Sequence, residues 1–213
     1  MTAGKLITLE GGEGAGKSTV LDSVRVMLAQ RGIDVVVTRE PGGTPVGEAV
    51  RRVLLDPALR GMCAQTELLL MFASRAQLVR EVVQPALARG QWVLSDRFTD
   101  ASFAYQGGGR GLPIARIAEL EKWAADDIQP DLTLLLDLPV ATGLQRANGR
   151  GCADRIELES AEFFERVRAA YRQRAQQQPQ RFRLIDASRP LDDVLSQVAD
   201  TLKVFLDACQ VRT

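Results

Sequence analysis

The chain has 213 residues, of which 46% are hydrophobic and 25% are charged, and its 27 basic side chains balance 27 acidic ones. This composition is typical of a globular protein with a sizeable apolar core, and it disfavours both a disordered chain and a protein that coats nucleic acid by charge alone. The chain has no histidine, which excludes Ser-His and Cys-His catalytic arrangements and histidine-based metal sites.

In the first half of the chain, short apolar runs alternate with longer amphipathic ones, a pattern that predicts strands connected by helices. The predicted strands are residues 6–9, 35–37 and 92–95. The predicted helices are residues 17–31, 46–55 and 65–88, of which Gly32 ends the first and Gly90 the last. A loop with Pro and Gly is expected over 39–44.

The second half of the chain continues this alternation. A loop is predicted after the third strand, because four glycines occur there: Gly107, Gly108, Gly109 and Gly111. Further strands are predicted at 132–138 and 182–185, and further helices at 114–126, 140–147, 163–178 and 191–208. Residues 148–155 carry Gly and Arg with little apolar content and predict a mobile flap, so we expect a lid over about 148–157.

Five strands separated by helices form a series of βαβ units, which right-handed crossovers join into one parallel sheet. The expected fold class is therefore α/β, with a five-stranded parallel sheet covered by helices on both faces. No internal repeat and no Ser-, Gly- or Pro-rich linker interrupts the chain, so residues 1–213 are predicted to form a single domain with the lid.

The three cysteines, Cys63, Cys152 and Cys209, are far apart and include no C-x-x-C pair. They indicate neither a disulfide framework nor a thiolate zinc site, and a reducing cytoplasmic location is expected. No basic segment precedes an apolar stretch at the N-terminus and no run of 18 apolar residues occurs, so neither a signal peptide nor a membrane span is predicted.

A glycine-rich segment follows the first strand and fits the phosphate-binding pattern G-x-x-x-x-G-K-[ST]. Its glycines let consecutive backbone N–H groups point at an anion, while Lys17 would bridge the β- and γ-phosphates and the Ser18 hydroxyl would ligate Mg²⁺. The predicted ATP-binding residues are Gly11, Gly12, Glu13, Gly14, Ala15, Gly16, Lys17, Ser18 and Thr19. A glycine-rich connector without a ligand is the alternative.

Polar side chains also follow the second and third strands. Arg39 and Arg97 are suited to clamping a second phosphate at the carboxyl edge of the sheet, with a surface ion pair as the alternative for each. Asp96 is predicted to orient Mg²⁺ through water or to accept a hydrogen bond from Ser18 or Lys17, unless it is a strand-end turn residue. Asp137 is interpreted as structural.

Longer stretches of the chain carry a more specific signal than the P-loop alone. They are residues 10–19 (EGGEGAGKST), 38–44 (TREPGGT), 70–75 (LMFASR), 95–109 (SDRFTDASFAYQGGG), 131–137 (DLTLLLD) and 154–157 (DRIE). Through these stretches the chain resembles the thymidylate kinases from residue 5 to about 202. The resemblance implies a P-loop nucleoside-monophosphate-kinase fold and transfer of the γ-phosphate of MgATP to dTMP, giving dTDP and ADP for dTTP biosynthesis.

The resemblance also implies the residues that bind dTMP. They are Glu13, Arg39, Pro41, Phe72, Arg75, Arg97, Tyr105 and Gln106. In the family the matching arginines at 39 and 97 grip the dTMP phosphate, the acid at 13 faces the 3′-hydroxyl, and the tyrosine at 105 crowds the 2′ position.

The implied base contacts come from two segments. Phe72 and Arg75 lie three residues apart on one helix face, where the family stacks the ring on thymine and donates from the arginine to its exocyclic oxygen. Gln106 has an amide able to pair with thymine N3 and the neighbouring carbonyl. From the residues alone, a core aromatic is the favoured interpretation of Phe72.

Some thymidylate kinases carry an arginine inside the P-loop, but the variable positions here are Gly-Glu-Gly-Ala. We therefore expect the lid-arginine type of bacterial relatives, with Arg150 as the first candidate for the transition-state cation and Arg155 as the second. The complete predicted catalytic set is Lys17, Asp96, Arg97, Arg150 and Arg155. A flap that is basic only for solubility is the alternative. Ala101 stands where many relatives have Ser, and Ser102 is a possible substitute.

Two other functions stay open at this stage: a kinase for another (deoxy)nucleoside monophosphate, and a non-enzymatic ATP-sensing module. The N-K-x-D motif of switch GTPases is absent from the sequence. The expected partners are ATP, dTMP and Mg²⁺, with no nucleic acid and no membrane, and the resemblance implies a homodimer.

Overall fold

The computed structural model describes residues 4–147 and 154–210, and its strands form one sheet. They are β1 (Leu6–Gly11), β2 (Val35–Arg39), β3 (Trp92–Asp96), β4 (Leu132–Asp137) and β5 (Phe182–Asp186). Neighbouring strands pair in parallel, in the order β2-β3-β1-β4-β5. The predicted α/β fold with a five-stranded parallel sheet is confirmed.

Helices connect these strands. They are α1 (Lys17–Gln30), α2 (Pro45–Leu55), α3 (Ala64–Leu78), α4 (Gln84–Ala88), α5 (Thr99–Ser102), α6 (Ile114–Ala125), α7 (Val140–Ala147), α8 (Ala161–Gln177) and α9 (Leu191–Gln210). A 3₁₀ turn at Pro57–Leu59 follows α2. A π-helical segment, Val79–Val83, joins α3 to α4, so the long helix predicted over 65–88 is present with one wider turn inside it.

The starts of two helices follow from their capping residues. Thr44 precedes α2, and its side chain accepts a hydrogen bond from the backbone N–H of Gly47 at 2.9 Å, while Pro45 occupies the first helical position. Ser160 caps α8 in the same way, accepting from the N–H of Phe163 at 3.3 Å.

The prediction of a loop after the third strand is wrong. Instead, α5 continues into a π-helical segment at Phe103–Gly109. We interpreted the glycines there as helix breakers, but they allow close packing against α8. A Cβ atom on Gly109 would lie 2.5 Å from Cε2 of Phe163, a distance that real side chains do not tolerate. Tertiary packing therefore overrides the low helix propensity of glycine in this segment.

The core lies on both faces of the sheet, because successive residues of a strand point to opposite faces. On one face, Ile7 and Leu9 of β1 pack in a cluster with Val24 of α1 and Val198 of α9. Leu6 belongs to a separate cluster on the other face. All six residues of the central strand β1 are buried, so the prediction that helices cover both faces is confirmed.

The parallel arrangement brings the carboxyl ends of the strands to one edge. Asp96 at the end of β3 is in register with Leu9 of β1 and with Arg39 of β2. The glycine-rich segment that follows β1 therefore lies beside the polar ends of β2 and β3.

The predicted lid is described only in part. Residues 148–153, and with them Arg150 and Cys152, lie outside the described residues. Residues 155–158 form a turn that leads toward α8, and Ile156 within it is buried. Among the helices of the described residues, none is long and apolar enough to cross a membrane.

Candidate active site

The glycine-rich segment forms a P-loop that ends at the first residue of α1. The Nζ atom of Lys17 donates to the backbone oxygens of Gly11 and Gly12 at 3.1 and 3.0 Å. Gly14 has a φ of 70°, and a Cβ atom there would lie 2.0 Å from the backbone oxygen of Gly143, so only glycine fits. Burial, together with the nearby Arg97 guanidinium, lowers the pKa of Lys17 to about 8.

Arg97 lies at the centre of the site, directly after β3. Its backbone adopts a left-handed conformation with a φ of 71°, which a non-glycine residue rarely does. The guanidinium donates to Gly11 O at 2.8 Å and to Glu13 Oε1 at 2.8 Å. It also donates to the Tyr105 hydroxyl at 3.0 Å, and that hydroxyl in turn donates to Glu13 Oε1 at 2.8 Å. These bonds hold the cation beside the P-loop.

Arg39 and Arg51 add positive charge at the entrance of the site. Arg39 is exposed and pairs with Glu48 at 2.9 Å. Arg51 of α2 is half-buried and donates to Pro41 O at 2.9 Å. Burial lowers the pKa of Arg51, and the repulsion of the Arg39 guanidinium lowers it further. Two cations this close favour an anionic ligand between them.

Asp96 supplies a carboxylate on the same side. Its Oδ1 atom is buried, and no hydrogen-bond partner reaches it from the described residues. A buried carboxylate oxygen without a partner is uncommon in folded proteins, and it is suited to bind a cation or a hydrogen-bond donor. Ser18, whose hydroxyl is the predicted metal ligand, lines the same cleft.

Arg75 also lines the cleft, and its side chain is almost fully buried, with 1% of the residue exposed. Its guanidinium donates to Glu40 Oε2 at 2.7 Å, to Ser102 Oγ at 3.0 Å and to Phe98 O at 3.1 Å, and a second nitrogen contacts Glu40 Oε2 at 2.6 Å. A guanidinium carries five N–H groups. These contacts use four of them and leave one on Nη1 for a ligand.

Gln106 lines the same cleft as Arg75, and a buried carboxylate fixes its side-chain amide. Its Nε2 atom donates to Glu67 Oε1 at 2.8 Å. Glu67 is fully buried on α3, where it also pairs with Arg110 at 3.0 Å and with Arg155 at 2.7 Å.

Most of the predicted site residues line one cleft of about 260 Å³. They are Glu13, Gly14, Ala15, Gly16, Lys17, Ser18, Arg39, Pro41, Arg75, Asp96, Arg97, Tyr105 and Gln106. Gly11 and Gly12 line a smaller neighbouring cavity. The cleft thus brings the P-loop together with cationic and buried polar side chains.

Comparisons with known proteins agree with this geometry. The sequence profile of the family described as "Thymidylate kinase" matches residues 9–198. The chain belongs to the thymidylate kinase family. It is 56% identical over 208 residues to the thymidylate kinase of Pseudomonas putida strain F1, covering 98% of this chain and 99% of that protein. The thymidylate kinase of Methylobacillus flagellatus is 54% identical over 202 residues, covering 95% and 98% of the two chains.

The fold comparison leads to the same family. The crystal structure of thymidylate kinase from Ehrlichia chaffeensis superposes with a TM-score of 0.77 at 30% identity, covering 94% of this chain and 99% of that chain. The predictions of a P-loop nucleoside-monophosphate-kinase fold and of a dTMP kinase, which transfers the γ-phosphate of ATP to dTMP, are confirmed. The two alternatives that the sequence left open have no support from these relatives.

Besides Gly11 and Gly12, three described residues predicted for the thymidylate kinase site are not among those that line the cleft. Thr19 is exposed on α1. Phe72 is 3% exposed, belongs to an apolar cluster and lies with its ring centroid 4.4 Å from the guanidinium carbon of Arg75. Arg155 is 4% exposed, donating to Leu54 O at 2.7 Å besides its pair with Glu67. The roles predicted for these three residues stay predictions.

A polar residue directly before the P-loop, Glu10, escaped the sequence analysis. Glu10 of β1 is fully buried and accepts hydrogen bonds from the Phe98 N–H at 2.8 Å and the Tyr171 hydroxyl at 2.6 Å. Burial, with the charge of Asp100, raises the pKa of Glu10 to about 8. A glutamate at the end of an apolar strand was the available signal for it.

The sequence analysis also missed Arg51. It comes four residues before Leu55 on α2, so both side chains lie on one helix face, and both line the cleft. The signal was an arginine on the partly apolar face of an amphipathic helix. Ser102, considered a substitute for the serine missing at 101, accepts from Arg75 and lines the cleft.

Proposed function

We propose that ATP binds at residues 11–19 and that dTMP binds across the remainder of the cleft, with its phosphate near Arg39 and Arg97 and its base near Arg75 and Gln106. One observation carries this proposal: the P-loop, the clustered cations and the two buried polar side chains line a single cleft. That arrangement supports in-line transfer between two bound phosphates, since phosphoryl transfer depends on positioning and on stabilisation of charge.

The residues around Arg97 would contact the phosphate and the sugar of dTMP. The phosphate would meet Arg39 and Arg97, with Arg51 adding positive charge in the same cleft, while the Glu13 carboxylate would accept from the sugar 3′-hydroxyl. Tyr105 contacts both Arg97 and Glu13, which keeps the two oppositely charged groups in place. The acceptor phosphate is already anionic, so no general base is required.

Lys17 would bind the β- and γ-phosphates of ATP. In the unliganded cleft, burial holds its pKa near 8, and the negative charge of ATP would raise that pKa again. The lysine would therefore take up a proton when ATP binds near pH 8.

Mg²⁺ fits the oxygen atoms on this side of the cleft. The partnerless Oδ1 of Asp96 and the hydroxyl of Ser18 are hard oxygen donors of the type that Mg²⁺ prefers. We propose that Ser18 holds the ion directly and that Asp96 orients it through water. When bound, the ion would neutralise charge on the transferring phosphoryl group.

The cation for the transition state is proposed to be Arg150. The P-loop of this chain carries no arginine, and the guanidinium of Arg155 contacts Glu67 and Leu54. Because the Arg155 guanidinium is already held by these contacts, we favour Arg150 of the two candidates. One kinase domain over residues 1–213 with a lid at about 148–157 remains our proposal for the domain organisation.

A product assay tests the proposed placement of the acceptor. Wild-type protein would be incubated with MgATP and each of dTMP, dUMP, dCMP, dGMP, dAMP and UMP, and the diphosphate products would be quantified. We expect strong preference for dTMP, with dUMP second. Formation of ADP at the same slow rate with every acceptor would contradict the placement.

We also propose a homodimer in the cytoplasm. Leu69 of α3 and Trp123 of α6 are 58% and 83% exposed, and their two helices share an apolar cluster. Large exposed apolar side chains are typical of an interface. Light scattering should give about twice the chain mass of 23.3 kDa. Trp123→Glu should halve that mass, whereas Val204→Glu, a change at another exposed apolar position, should not.

A further inference from the structure

Glu67 is a buried carboxylate whose contacts account for both of its oxygens. Oε1 accepts from Gln106 Nε2 at 2.8 Å and from Arg110 Nε at 3.2 Å. Oε2 accepts from Arg110 Nη2 at 3.0 Å and pairs with Arg155 Nη2 at 2.7 Å. Burial raises the pKa of Glu67, but the hydrogen bonds from Arg110 and Gln106 outweigh burial and leave that pKa below its usual value.

An ionised carboxylate accepts hydrogen bonds and donates none. Gln106 must therefore turn its NH₂ group towards Glu67, because the opposite orientation would bring the amide oxygen against a carboxylate oxygen. The amide nitrogen thus faces the ion cluster, and the carbonyl oxygen is left for the cleft that Gln106 lines. The two arginines keep Glu67 charged and so maintain this orientation.

We propose that Glu67 is a positioning residue for base selectivity: it holds the Gln106 carbonyl oxygen as a hydrogen-bond acceptor towards N3 of the pyrimidine. Thymine and uracil carry a hydrogen at N3 and satisfy this acceptor. Cytosine has a lone pair at N3, which would face the amide oxygen and leave both acceptors unpaired. This inference rests on the proposed placement of the base beside Gln106.

Glu67→Gln tests the proposal, because it replaces an obligate acceptor with an amide. The new amide would direct its oxygen towards Arg110 and Arg155 and its NH₂ group towards Gln106, which would then turn over and present its own NH₂ group to the base. We expect the ratio of kcat/KM for dTMP to that for dCMP to fall by about tenfold or more.

Glu67→Asp provides a second test in case the neutral variant does not fold. Aspartate keeps the negative charge opposite Arg110 and Arg155, but its side chain is one methylene shorter and loses the contact with Gln106. The ratio should again fall. Circular dichroism identifies which variants fold, and a wild-type ratio in Glu67→Asp overturns the proposal even if Glu67→Gln is unfolded.

Glu159→Gln is the matched control. Glu159 pairs with Arg110 Nη1 at 2.6 Å in the same cluster, and among the described residues no hydrogen bond joins its carboxylate to Gln106. Its loss should weaken the cluster and leave the dTMP to dCMP ratio within about twofold of wild type. A fall as large as that in Glu67→Gln would show a general structural effect and overturn the proposal.

Gln106→Met separates this proposal from the placement of the base. If this variant keeps the wild-type ratio, the base does not lie beside Gln106, and the proposed placement fails together with the inference. If the ratio falls in Gln106→Met but in neither Glu67 variant, only the role of Glu67 is overturned. In the double variant Glu67→Gln/Gln106→Met, the ratio should equal that of Gln106→Met alone.

Discussion

The two walls of the cleft are built differently. The wall that we propose for the donor is the P-loop, nine consecutive residues (11–19) that would bind ATP mainly through backbone groups and Lys17. The acceptor wall consists of Arg75 and Gln106, held by buried carboxylates from distant parts of the chain, Glu40 and Glu67. Removing one member of a buried ion pair leaves a buried charge without its partner, whereas truncating Lys17, which donates to backbone oxygens of the P-loop, does not. Substitutions should therefore affect mainly catalysis at the donor wall and mainly stability at the acceptor wall.

The largest loss of stability is expected for Arg75→Met. Glu40 is 5% exposed, and without Arg75 its charge would be buried alone, so the free energy of unfolding should fall by about 3–5 kcal/mol. Urea denaturation measures this change. The double variant Arg75→Met/Glu40→Gln should recover part of the loss. A change below about 1 kcal/mol in the single variant would contradict the contrast between the walls.

Lys17→Met should have the opposite profile. The turnover number should fall by about 10³-fold, because in our proposal the lysine neutralises charge on the transferring phosphate. Stability should change by less than about 1 kcal/mol, since within the described residues the lysine donates only to two P-loop carbonyls and burial disfavours its charge. Steady-state kinetics and urea denaturation on one preparation measure both quantities. A loss of stability in Lys17→Met as large as that in Arg75→Met would contradict the contrast between the two walls.

The two lid arginines should also differ. Arg150→Ala is expected to lower kcat by about 10²-fold or more with little change in dTMP affinity, as for a group that acts only in the transition state. Arg155→Met should instead lower the free energy of unfolding by about 2 kcal/mol, because it removes a partner of buried Glu67. Unchanged turnover in Arg150→Ala would reject the proposed role of that arginine.

The smallest expected effect is the contribution of Glu10 to the pH dependence of the free energy of unfolding. Its carboxyl has an ordinary pKa of 4.5 but a pKa of about 8 in the folded chain. The folded state therefore binds more protons between these values, and stability should fall by about 1 kcal/mol per pH unit as pH rises through this window. Glu10→Gln carries no titratable group and should reduce that slope. Urea denaturation at pH 6, 7 and 8 compares the two proteins, and identical slopes would contradict the raised pKa.

Sequence alone sufficed for the elements whose signal is local. The strand and helix order follows from the spacing of apolar residues, and the P-loop is recognised because its groups are consecutive in the chain. Arg39, Asp96 and Arg97 could be placed at one edge of the sheet because parallel strands end together, and the strand register agrees.

Tertiary structure decided what depends on contacts between distant residues. The segment Phe103–Gly109 is helical because Gly108 and Gly109 pack closely against α8 and Gly107 against α6, which the chemistry of glycine in isolation does not indicate. The pairing of Glu67 with Gln106, 39 positions away, and with Arg155 leaves no local pattern. Buried ion pairs depend on position in space rather than on spacing in sequence, and the support of the acceptor wall is visible only in the folded chain.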